Sequence, residues 1–329
     1  IQLTPAPLES SGLATPDDAM ARLGNLVSAY GTQTGERYAN EVAPLLDRLS
    51  EAFSDEKADE EQPTPQAIWQ LLVQDYPDYF APIHLVGRLG LHRQALQSGT
   101  TDIDSLGINS EQLSRLNRVL VSESGWQSIA QQLTDLLDTL LASQPVGQRL
   151  CLLEAGCCVP ALGERLLEHL AHSLQGHKLE DVFHQRILPT TEAGTHQAEQ
   201  LQEAYPLLDI HPLDAAMPHL NDGEKAQLAL ISLDVTHPER TFQLLETLPA
   251  LLAPGAQVLL LGIHPSRWLD DLLATPGIGR QVLEPAMLSQ WLTDAGWLAT
   301  PATALEGNDN GAYLIHATAL GNHGAQEET

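Results

Sequence analysis

The chain has 329 residues and carries 16 Lys+Arg against 43 Asp+Glu, a formal charge of −27 at pH 7. That surplus excludes nucleic acid and anionic membrane surfaces as partners, because both repel it. A 43% hydrophobic and 18% charged composition excludes a disordered chain, and three cysteines exclude a disulfide framework.

The cysteine usage fits a reducing, cytoplasmic compartment. No apolar run reaches membrane-spanning length, and no basic-then-apolar segment opens the chain. The sequence begins Ile1-Gln2-Leu3 without a methionine, so a piece of something longer is expected.

The first part reads as helix. Asp17-Asp18 can cap a helix carrying Met20, Leu23, Leu26, Val27 and Tyr30 at a period near 3.6, and Tyr38, Val42, Leu45, Leu46, Leu49 and Phe53 repeat the pattern. Ser54 to Pro63 is a polar, acidic loop and a linker candidate. Helices are predicted over 65–74, 82–90, 110–120 and 125–141.

From Gly147 short apolar runs alternate with helical patterns. Strands are predicted at 150–154, 182–188, 208–213, 228–233 and 258–263, and helices at 161–174, 192–205, 238–252 and 285–295. Residues 298–305 and 312–319 are a predicted antiparallel pair across the turn Gly307-Asn308-Asp309-Asn310-Gly311. This alternation predicts an α/β fold, a parallel sheet covered on both faces. The expected division is a helical subdomain over 1–145, a sheet core over 146–320, and a tail or linker over 321–329.

The first strand-to-helix turn is Leu152-Leu153-Glu154-Ala155-Gly156-Cys157-Cys158-Val159-Pro160-Ala161-Leu162. It resembles the first motif of class I S-adenosylmethionine-dependent methyltransferases, which reads apolar strand, Glu, apolar, Gly, x, Gly, x, Gly. Further features are similar, in the same order, to the C-methyltransferase domains of modular polyketide synthases. They are Ile68-Trp69-Gln70-Leu71-Leu72, Asp75-Tyr76-Pro77-Asp78-Tyr79, Gly87-Arg88-Leu89-Gly90, Leu96-Gln97-Ser98-Gly99, Tyr205-Pro206, Pro212-Leu213-Asp214, Leu251-Leu252-Ala253-Pro254-Gly255 and Ala295-Gly296-Trp297. The resemblance spans roughly residues 20–320. It implies a Rossmann-like, seven-stranded methyltransferase sheet with an N-terminal helical lid. It also implies Glu154, Gly156 and Asp214 as cofactor-binding positions, with S-adenosylmethionine as cofactor if the domain is active.

The chemical positions depart from that pattern. A cofactor loop needs glycines so that backbone can approach the ligand, whereas Cys157-Cys158-Val159-Pro160 fills this one. The family resembles Thr-Asp-Ile-Ser at the end of the second strand, where an acid holds the ribose hydroxyls. Here the chain reads Gln185-Arg186-Ile187-Leu188-Pro189-Thr190, and Arg186 is expected to face a ligand that already bears a sulfonium charge. After the fourth strand the resemblance implies a histidine base; Asp234 stands there, and an ordinary aspartate, with a pKa of about 3.9, is a poor base near neutrality. His237 is a possible base if it reaches back. An acid expected after the fifth strand is replaced by Gly262-Ile263-His264.

Blander roles compete at several positions. Asp214 is equally a turn-forming strand end. Cys157 and Cys158 lack metal or redox spacing and read as small apolar fillers. His169, His172 and His177 read as solvent-facing, with no metal site, and the five tryptophans as packing residues.

Two function classes follow from the resemblance. The first is a non-catalytic pseudo-methyltransferase, a structural element of a multidomain polyketide-synthase-like assembly that contacts neighbouring domains and binds no cofactor. The alternative is a divergent C-methyltransferase, a transferase acting on a β-ketoacyl chain held by an acyl carrier protein.

Overall fold

A computed structural model describes residues 38–54, 64–109, 147–173, 178–213, 220–234, 237–276, 278, 283–304 and 312–319, together with 112, 113, 116, 133, 134, 137–142 and 144. The predicted helix over Met20–Tyr30, most of the acidic loop, Trp126, His177, Asp214, the Gly307–Gly311 turn and the 321–329 tail lie outside the described residues.

The first part is helical, as its periodicity predicts. A π-turn at Tyr38–Val42 leads into α1 (Ala43–Ser54), followed by α2 (Pro65–Asp75) and α3 (Phe80–Gln97). Thr64 caps α2 by accepting the Ala67 N–H at 3.3 Å, and Pro65 sits where its missing N–H costs nothing.

Helix α3 is twice as long as the predicted 82–90 segment. Pro82 falls in its first turn, where proline is tolerated, and Gly87 and Gly90 are packing slots inside it. A Cβ at Gly87 would meet Trp69 Nε1 at 2.7 Å, and one at Gly90 would enter the Phe53 ring. The described residues between 112 and 142 are helical as well.

The rest builds one sheet. Its strands are β1 (Leu150–Gly156), β2 (Phe183–Pro189), β3 (Leu208–Ile210), β4 (Ala226–Ser232), β5 (Leu252–Ile263), β6 (Leu298–Ala299), β7 (Thr303–Ala304) and β8 (Ala312–Thr318). The spatial order is β3-β2-β1-β4-β5-β8-β6, with β7 also pairing β8. The two short pieces β6 and β7 share one edge of β8, so the sheet has seven strand positions. Every pairing from β3 to β5 is parallel, and β8 runs antiparallel between β5 and the edge.

The connecting helices are α4 (Ala161–Ser173), α5 (Leu179–Val182), α6 (Glu192–Ala204), α7 (Pro238–Leu251), α8 (Arg267–Leu273) and α9 (Pro285–Asp294). Alternate residues of β1 feed two cores. Leu150 and Leu152 join the core shared with α1 and α3, while Cys151, Leu153 and Ala155 join the one under α7 and α9.

Further details differ from the sequence expectation. Strand β3 stops at Ile210, although the chain keeps reaching to β2 through His211 N–H to Ile187 O (2.9 Å) and Leu213 N–H to Pro189 O (3.3 Å). Strand β5 starts at Leu252, directly from α7, with Pro254-Gly255 in an irregularity where the pairing with β4 shifts register. Helix α8 was not anticipated: seven residues, four of them buried, are too short to show a period. Among the described residues no helix is long and apolar enough to cross a membrane.

Helix α8 fastens the helical lid to the core. Asp47 of α1 accepts the Trp268 N–H at 2.8 Å and so supplies the N-terminal cap that Ser266 does not. Ser50 Oγ donates to Asp271 Oδ2 at 2.6 Å, and Arg267 meets Glu51 at 2.9 Å.

Burial pushes the Asp47 carboxyl up, against the opposing pull of the Trp268 N–H and Arg267. Asp270 is raised by burial and then by Glu284, Asp271 and Asp47. Carboxyls raised in the folded state contribute stability that is full below the ordinary value of 3.8 and is lost as pH rises through the raised value. These two carboxyls should therefore add stability as pH falls towards 3.8. Asp47→Asn keeps a cap acceptor but not the titration, so the urea midpoint of the unaltered chain should gain on that of this variant as pH is lowered from about 7 to about 4. Equal movement in both would assign the pH dependence elsewhere.

Candidate functional site

In an open α/β sheet the ligand crevice lies at the carboxyl ends of the strands, where the order reverses. That point is the end of β1, whose last residue Gly156 stands between Pro189 of β2 and Ser232 of β4. Gly156 has φ +114°, and a Cβ there would run into the Ser232 carbonyl oxygen. No other residue type fits.

Beyond Gly156 the loop folds down onto β4. The Cys157 N–H donates to Ser232 O at 3.2 Å, the Cys158 N–H to Ser232 Oγ at 2.9 Å, and Ser232 Oγ–H to Ala155 O at 3.3 Å. Cys157, Cys158 and Val159 are 1–2% exposed. Cys157 Sγ–H points at Leu233 O (3.2 Å), with the Cys158 sulfur 3.5 Å away. Its hydrogen bond with Cys158, and then burial, push the Cys157 thiol well above its ordinary 9.0. The pair packs as the small apolar fillers that its spacing suggested.

Glu154 sits two residues short of the strand end, 2% exposed, and its Oε2 accepts Gln185 Nε2–H at 2.9 Å. The first turn of α4 closes over this pair through Gly163, where a Cβ would strike Glu154 Oε2 and Gln185 Nε2. Neither the pairing of Gln185 with Glu154 nor the packing role of Gly163 follows from the sequence pattern. The polar Gln185-Arg186 step inside a buried strand was the available signal.

Strand β2 ends in Pro189, and the next residues, Thr190 and Thr191, bring no carboxylate. Thr190 N–H donates to Gly156 O at 3.3 Å, its carbonyl accepts from Arg240, and its buried Oγ1 has no hydrogen-bond partner among the described residues. Thr191 caps α6 by accepting the Gly194 N–H at 3.1 Å.

The expectation for Arg186 needs correction. Arg186 lies mid-strand, opposite Leu153, with its guanidinium on Asp209 (3.2 Å) and on the carbonyl of Glu224 (3.2 Å), before β4. It is held at the other end of the sheet, not at the crevice. Burial pushes Asp209 up, but His211 and Arg186 outweigh it and hold this carboxyl below its ordinary value.

Asp234 and His237 do come together. Asp234 is 2% exposed, and its Oδ1 accepts the His237 backbone N–H at 2.9 Å. Its Oδ2 lies 3.5 Å from His237 Nδ1. His237 precedes Pro238, the first residue of α7, and its ring faces back onto Asp234.

Near the end of β5, Gly262 is covered by Tyr313: a Cβ there would meet the ring carbon Cε1 at 2.9 Å, which leaves no room for an acidic side chain. His264 packs edge-on against the same ring at 5.0 Å. Burial pushes the Tyr313 hydroxyl far above its ordinary 10.0.

Asp214 lies outside the described residues. Of the helix α4 histidines, His169 pairs with Asp138 at 3.0 Å and His172 with its own helix at Glu168 O, at 2.6 Å.

No protein-family model and no curated protein matches the chain. Solved structures do. The citrinin polyketide synthase CMeT domain superposes with a TM-score of 0.68 at 17% identity, over 97% of this chain and 100% of that one. CurJ carbon methyltransferase gives 0.61 at 15%, over 94% and 99%. The trans-methyltransferase CalH, in complex with SAH, gives 0.54 at 14%, over 94% and 92%. The chain therefore has a methyltransferase-type α/β fold with the helical N-terminal part included, similar to that of polyketide synthase carbon methyltransferase domains.

Proposed function

We propose that this methyltransferase-type domain is non-catalytic and serves as a structural element of a polyketide-synthase-like assembly. The carrying observation is the closed loop: the N–H groups of Cys157 and Cys158, which a cofactor cradle would offer to its ligand, are both spent on Ser232. Pro189 and Thr190 at the end of β2 support the same reading, since two ribose hydroxyls find no carboxylate there. Each hydroxyl left without its acceptor costs about 1–3 kcal/mol. These residues do not suit S-adenosylmethionine.

Titration calorimetry with S-adenosylmethionine should give no saturable heat. Low-micromolar binding would overturn the proposal. In the parent synthase, Asp234→Ala and His237→Ala should leave product methylation unchanged, whereas removing the domain should lower flux by taking away the spacing between its neighbours.

One observation favours a second reading, a divergent C-methyltransferase acting on a carrier-bound β-ketoacyl chain. The Asp234–His237 contact (3.5 Å) orients an imidazole with a buried carboxylate, the arrangement that a general base needs. Loss of a product methyl group in folded His237→Ala would make this the better reading.

A further inference from the structure

We propose that the outer face between α7 and α9 docks a cationic amphipathic helix of another polypeptide. Both helices cover the same side of the sheet, and Leu244 and Leu248 of α7 with Leu288 and Leu292 of α9 turn into the core beneath. Phe242 and Trp291 do not follow them. They stay partly exposed on the two helices and meet each other, with ring centroids 5.9 Å apart and planes tilted by 60°. Met287 stands one turn before Trp291 on the same side of α9 and is 61% exposed. Two aromatic rings and a methionine side by side at the surface have the composition of a docking face rather than of a solvated helix flank.

The rim of this face selects the partner. Glu239 and Glu246 lie three residues before and four residues after Phe242, and Asp294 lies three after Trp291. At that spacing each carboxylate neighbours a ring on its own helix, and all three residues are exposed. Neither helix balances them with a cation. Helix α9 contains no Lys or Arg, and the one in α7, Arg240, is held at the Thr190 carbonyl.

A helix with apolar anchors at i and i+4, and Lys or Arg beside them, answers both the rings and the acids. A second copy brings the same carboxylates, on a chain of charge −27, and is repelled. None of the six residues of this face belongs to the Gly156 loop or to the Asp234–His237 contact, so the inference holds under either reading of the crevice.

The probe is a synthetic helix of leucine and lysine with its leucines on one face. A leucine–glutamate helix of the same pattern and a scrambled leucine–lysine peptide serve as controls. Each is titrated into the full chain, followed by calorimetry and by the Trp291 indole N–H resonance. The leucine–lysine helix should bind saturably and shift the Trp291 signal, and Met287→Ala should weaken it about tenfold. Leu91→Ala removes an equally exposed side chain from the lid and should leave the affinity unchanged. Both side chains face solvent, so neither change threatens the fold. Equal effects of the two substitutions, equal binding of either control peptide, or no saturable binding overturns the proposal. Self-association of the chain that Met287→Ala abolishes overturns it too, by giving the face to a second copy.

Discussion

Gly156→Ala should destabilise the protein by about 3 kcal/mol or more. A left-handed backbone costs an L-residue roughly 1–2 kcal/mol, and overpacking a rigid neighbour adds roughly 1–3. The neighbour here is main chain: φ is +114° and the added methyl runs into the Ser232 carbonyl, which is fixed in β4 and cannot swing aside. Gly147→Ala is the control. It has φ +86° and no atom within 4 Å of a Cβ, so it should lose only about 1 kcal/mol. Urea denaturation of the two variants measures the difference. Equal losses would mean that the approach of β1 to β4 tolerates a side chain.

Gln185→Leu should cost about 2–4 kcal/mol, because it strips a donor from a carboxylate that is 2% exposed. The pair is a different matter from its parts. Replacing both partners, as Glu154→Met with Gln185→Leu, should recover more than half of that loss, since the buried carboxylate goes together with its donor. A double variant as unstable as the single one would show that Glu154 has a further role in holding α4 over the sheet.

Much of this architecture was legible because it is local. Strands β1 and β4 are short apolar runs bounded by helical patterns, and that alternation predicts the parallel sheet. The Asp234–His237 contact was half legible too, since a three-residue separation before a helix-starting proline brings two side chains to one turn.

What was hidden depends on tertiary partners. The predicted helix stops at Gly90, and only the rings of Trp69 and Phe53, lying on Gly87 and Gly90, show why both glycines belong inside a longer helix. Arg186 looks available to a ligand until Asp209, on the neighbouring strand, claims it. The closed state of the Cys157-Cys158 loop rests on Ser232, 74 residues further along the chain, and no periodicity reports that.

Asp47 makes the lid part of a core helix. A seven-residue helix has too few internal bonds to persist alone, so α8 relies on that borrowed acceptor for its first turn. Lifting the lid therefore unwinds the start of α8, and the two events form one cooperative unit rather than a hinge opening over a rigid base. Amide hydrogen exchange reads this directly: the Trp268 amide, deep in the core by position, should exchange at the rate of lid opening and not at the slower rate of the sheet.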